Sequence, residues 1–105
     1  MQSNISWRHT ESVPEAITII NEKLEKLEKC SDRLSSVNII ISREGNAQKN
    51  SHRDSIELQI KMSKIPMFII KEEGYDLKAM IDECFDIAKR KVKELESKVR
   101  DTRRK

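Results

Sequence analysis

Side chains able to attack, shuttle a proton or ligate a metal are few in this sequence, and none stands at a working spacing. The two histidines are His9, at the end of a strand-like stretch, and His52, in a polar run. Neither belongs to a set of histidines, cysteines and carboxylates at metal-ligand or triad spacing, so no catalytic residue, metal or cofactor is expected. Cys30 and Cys84 each sit beside a helical apolar stripe, where a thiol serves as a small packing group. Asp82, Glu83 and Asp86 crowd one helical stretch, which reads as a solvated face rather than an acid–base pair. With only Gly45 and Gly74 available, no glycine-rich phosphate loop can form.

The cations are better organised. From Lys89 to Lys105 there are nine basic residues against Glu94, Glu96 and Asp101, a net +6, so the preceding 88 residues sum to −3 in a chain of +3. On a helical wheel with Ile81 at zero, Lys78, Lys89, Lys93, Arg100 and Arg104 fall about 60–140° round from the apolar stripe, with Lys91 and Lys98 on the other flank. Lys23, Lys26 and Lys29 recur at steps of three further upstream, and Arg8 closes the first strand-like stretch. One reading of these rows is a solvated surface laced with i,i+4 pairs. The other is a surface that tracks phosphates, each cation releasing a counterion on binding. Trp7, Phe68, Tyr75 and Phe85 are the only aromatics. A stacking platform for single-stranded bases is therefore not expected, and structured RNA read by shape and phosphate fits better.

The elements that must carry these residues follow from periodicity. Ile5 and Trp7 alternate within 3–9, a short strand. Ser12-Val-Pro-Glu15 has the spacing of a capping box. Val13, Ala16, Ile20, Leu24 and Leu27 then trace one helical stripe to about residue 30. Ser35 and Ser36 interrupt the pattern before Val37, Ile39 and Ile41 resume it as a strand. Residues 43–53 hold nothing apolar larger than Ala47 and read as a polar loop. Ile56, Leu58, Ile60 and Met62 mark the cleanest strand, Ser63-Lys64 a tight turn, and 66–71 a fourth strand with Pro66 at its start or on an edge. Asp76 is placed to cap a last helix running to the end, whose stripe is Leu77, Ile81, Cys84, Ala88, Val92, Leu95 and Val99. The expectation is an α+β fold, β-α-β-β-β-α, a four-stranded sheet with both helices on one face.

A chain of 105 residues supports a single domain over 1–105, its basic end frayed from about residue 100. No apolar run is long enough to span a bilayer, and the first residues lack the order of a secretory signal. A cytoplasmic protein with reduced thiols is expected, with no membrane partner and no small-molecule substrate.

Two stretches carry a family resemblance. Ile5, Arg8, His9, Val13, Lys23, Leu24 and Leu27, and then Asp76-Leu-Lys-Ala-Met-Ile-Asp82 with Arg90 beyond it, resemble the ribosome hibernation-promoting factor and ribosome-associated inhibitor family, also called sigma-54 modulation proteins. The basic end is similar to the short hibernation-promoting branch. Trp7 stands where that family usually has glycine, Lys78 where it has tyrosine, and Glu94 and Glu96 interrupt a stretch that is often Lys-rich. The resemblance implies a monomer that binds the small ribosomal subunit and its rRNA near the decoding centre and blocks mRNA and tRNA sites under stress or in stationary phase. The rRNA-binding residues it implies, together with the basic rows, are Arg8, His9, Lys23, Lys26, Lys29, Lys89, Arg90, Lys91, Lys93, Lys98 and Arg100. A generic structured-RNA-binding module and a helix-mediated protein-interaction domain stand as alternatives.

Overall fold

A computed structural model describes residues 1–46 and 51–103. Its elements are β1 (Gln2–Arg8), α1 (Pro14–Glu28), β2 (Leu34–Asn46), β3 (Ser51–Met62), β4 (Ile65–Gly74) and α2 (Leu77–Arg103), the expected α+β order. The sheet runs β1-β2-β3-β4, with β1 parallel to β2 and the remaining pairs antiparallel. The parallel pair requires a crossover, which α1 supplies, whereas the later strands need only hairpins.

Alternation decides which face of the sheet is covered. Val37, Ile39 and Ile41 of β2 and Ile56, Leu58 and Ile60 of β3 are at most 1 % exposed, while the residues between them are not buried. An apolar strand face must be buried, and the two helical stripes bury it. Ala16, Ile20, Leu24 and Leu27 of α1 join Met80, Ile81, Cys84, Phe85, Ala88 and Val92 of α2 in one core. Trp7 is partly buried and packs against that core. Among the described residues the opposite face carries no helix.

Both helices run the same way. β1 and β4 end beside the β2–β3 hairpin, so α1 and α2 start at that end and run toward the Ser63-Lys64 turn. α2 has 27 residues against 15 in α1. At 1.5 Å per residue it is about 18 Å longer. Asp76 caps it as expected, its Oδ1 accepting from the Ala79 amide at 3.2 Å. Lys64 makes the expected tight turn with φ 64°.

Three expectations are corrected. Ser12 does not cap α1: the N-cap is Val13, in extended backbone at φ −109° and ψ 109°, with no side-chain cap hydrogen bond. A capping box would make Val13 helical, but a residue preceding proline is driven out of the α region by the ring. Pro14 therefore takes the first helical position, where its missing N–H costs nothing. Second, Ser35 and Ser36 do not precede β2 but lie within it, where a register shift between Leu34 and Ser36 absorbs the irregularity. Third, residues 43–46 and 51–53 are strand rather than loop. β2 continues to Asn46 and β3 starts at Ser51, pairing Arg43 with Asp54 and Glu44 with Arg53. Charge pairing rather than apolar alternation extends this hairpin: Arg43 Nε donates to Oδ1 of the buried Asp54 at 2.9 Å. That hydrogen bond also raises the Arg43 pKa above its ordinary value. Ala47 to Asn50, Lys49 among them, lie outside the described residues.

Candidate nucleic-acid interface

The α1–α2 contact is built from residues on facing flanks. Going from the N-terminal ends, Lys78 Nζ lies 3.9 Å from Glu15, then Lys23 Nζ lies 3.1 Å from Asp82. Next comes a groove of about 140 Å³ lined by Lys23, Lys26, Leu27, Phe85, Asp86 and Lys89. Furthest along, Ser31 Oγ donates to Glu96 Oε2 at 2.5 Å, and Arg33 Nε is 3.4 Å from the same oxygen in an ion pair without hydrogen-bond geometry. Glu96, which breaks up the basic run in the sequence, thus anchors α2 to the α1–β2 connection.

Charge along this contact is graded. In the first half, lysines are matched by carboxylates across the helices. Lys26, Lys89 and Lys93 are exposed and have no ion-pair partner among the described residues, as do Lys29 at the C-cap of α1 and Arg90 on the outer side of α2. The free positive charge therefore collects where the groove opens toward the Ser63-Lys64 end. Salt bridges as exposed as Lys23–Asp82 hold by about 0–1 kcal/mol, so a phosphate can displace that carboxylate.

The structure does not bring all the expected residues together. Lys91 and Lys98 occupy the other flank of α2, and Lys98 Nζ is 3.1 Å from Glu94, whose carboxyl it holds below the ordinary value by hydrogen bond and charge. Arg100 lies within α2; Arg104 and Lys105 lie outside the described residues. Arg8 and His9 lie at the opposite end of the sheet, on the helix-free face, in a second cleft. That cleft includes Arg53 and Lys71, which the sequence reading missed. Had the strand pattern been carried back from Ile56, alternation would have put Arg53 on the same face as Arg8.

No group of three or more metal-ligating side chains occurs among the described residues. Burial, with Glu72 and Glu83 adding, pushes the Cys84 thiol up to about 12, so near neutrality it stays protonated in the core. Among the described residues no helix is long and apolar enough to cross a membrane.

The chain is thus a small α+β protein with a basic interhelical groove and an open sheet face. The family model described as "Sigma 54 modulation protein / S30EA ribosomal protein" matches residues 3–100, and the chain belongs to that family. No curated protein matches it in sequence. Among solved structures, it is similar to a ribosomal subunit interface protein from Coxiella burnetii, with a TM-score of 0.75 at 14 % identity over 92 % of this chain and 99 % of that one. It is also similar to the N-terminal domain of Thermus thermophilus Protein Y, with a TM-score of 0.67 at 22 % identity over 90 % and 99 %. Identities this low establish the shared fold alone.

Proposed function

We propose that this protein is a ribosome hibernation factor that binds the small subunit through rRNA phosphates near the decoding centre and silences translation by occupying mRNA and tRNA positions. The observation that carries this reading is Lys26 and Lys89 at one interhelical groove, with Lys93 one turn further along α2, none of them ion-paired among the described residues, in a chain of this family. Lys29 and Arg90 extend the cluster, Lys23 joins it by exchanging Asp82 for a phosphate, and Arg100 lies further along the same helix. Lys91 and Lys98 contribute to the field from the other flank, while Arg8 and His9 act at a separate place. The action is steric, with no reaction catalysed, by a monomeric single domain in the cytoplasm.

Co-sedimentation with purified small subunits across a salt series tests this. A phosphate-driven complex weakens steeply between about 50 and 200 mM salt. A flat salt response, or no co-sedimentation at low salt, overturns the reading. Equal affinity for a naked RNA duplex would replace it with a generic structured-RNA module.

A further inference from the structure

The helix-free face of the sheet has a built feature of its own. Register places Arg8 beside Ser42, Ser42 beside Ser55, and Ser55 beside Glu73, one straight row across all four strands. Arg53 and Lys71 stand two residues to either side of this row along their strands, and His9 follows Arg8. Together these residues enclose a cleft of about 300 Å³. Ser42 and Ser55, both half-buried, line it together with Arg8, His9, Arg53 and Lys71 and with the carboxylates Glu44, Asp54 and Glu73.

Three observations point to an anion. Arg8 has no ion-pair partner among the described residues. Arg53 and Lys71 share a single carboxylate, Glu73, at 3.3 and 3.6 Å, so the pairing leaves positive charge over. Counting Glu44, and with Asp54 satisfied by Arg43, three cations face two carboxylates. His9 lines the cleft from an exposed position after β1, at φ 60°, in the left-handed region that histidine enters more readily than most residues.

We propose that this cleft binds a phosphate of an RNA backbone, as a second anchor on the face of the sheet opposite the interhelical groove. A guanidinium fork with flanking hydroxyls matches a tetrahedral oxyanion. The RNA source rests on the ribosome-binding reading; the phosphate chemistry does not. Two anchors on opposite faces cannot be filled together by one short duplex, whereas a folded rRNA surface offers two separate strands. The arrangement therefore selects for architecture rather than for duplex RNA as such.

The test uses the full chain with labelled backbone amides, titrated separately with a short RNA duplex and with inorganic phosphate. The RNA should shift the amides of Ser42, Ser55 and Lys71 saturably. The double variant Arg8→Gln/His9→Asn should lose those shifts and keep the ones at Lys26 and Lys89, because asparagine tolerates the left-handed backbone. Cleft amides that stay still in the wild type, or that move equally in the variant, overturn the site. Movement with inorganic phosphate but not with RNA overturns RNA as its ligand. In co-sedimentation, the salt slope of the double variant should be shallower by about one unit; an unchanged slope overturns the second anchor. Failure of the wild type to bind subunits would remove the hibernation reading and leave the titration to decide the cleft.

Discussion

Asp54 is a carboxylate at 4 % exposure, a position that charge normally avoids. It is tolerated because Arg43 meets it at 2.9 Å from the facing strand. Removing the cation while leaving the buried anion is the costly direction for such a pair, since the carboxylate loses its charged donor. The Arg43 side chain is 37 % exposed, so water screens part of the interaction. Arg43→Gln is expected to cost about 1–3 kcal/mol in urea denaturation. Arg53→Gln, whose pair with Glu73 has both side chains about half exposed, should cost no more than about 1 kcal/mol. Equal costs would mean that Arg43 does not stabilise the buried anion. Composition alone placed both arginines in one polar stretch with the same role. Only the strand register separates them, because it turns Arg43 toward the helices and Arg53 toward the open face.

Where an element is held by apolar burial, its pattern was readable. The alternation through Ile56, Leu58, Ile60 and Met62 and the stripe through Ile81, Cys84, Ala88 and Val92 mark residues that are all at most 2 % exposed. Where an element is held by something else, the pattern was silent. The extended hairpin rests on cross-strand charge, and the start of α1 on a proline restricting its neighbour. The cationic rows of the candidate interface were legible from helical spacing. The pairing of Lys23 with Asp82 and the separation of Arg8 from the groove were not, because each depends on which elements the fold sets side by side. Ile81 tests the burial account directly. It is fully buried where α2 meets the sheet, and truncation removes three heavy atoms from a closed core. Ile81→Ala should cost roughly 2–5 kcal/mol. That is a large share of the total for a domain this size, and should appear as a clear fall in melting temperature. An unchanged melting temperature would mean that the stripe does not carry the packing.

Charge in this protein is arranged along its length rather than balanced locally. The long axis spans 60 Å. Near the starts of the helices cations are cancelled by carboxylates across the groove, and toward the other end Lys26, Lys89, Arg90 and Lys93 are left over. Such a gradient gives an orientation to an approaching polyanion as well as an affinity. The sharpest test changes these residues together to Gln. None makes an ion pair among the described residues and all are exposed, so stability should stay within about 1 kcal/mol of wild type. Net charge falls from +3 to −1, which by itself weakens any interaction with RNA. The control is therefore Lys61→Gln with Lys64→Gln, two exposed cations outside the groove, compared per charge removed. If the four residues touch phosphates, the salt slope of subunit binding should shallow by about three to four units. The control pair should leave the slope close to wild type while lowering affinity slightly. Equal loss per charge in both variants would mean that the gradient acts only as a diffuse field. A loss confined to the four-residue variant would mean that these side chains form the contact, with α1 and α2 fixing its spacing.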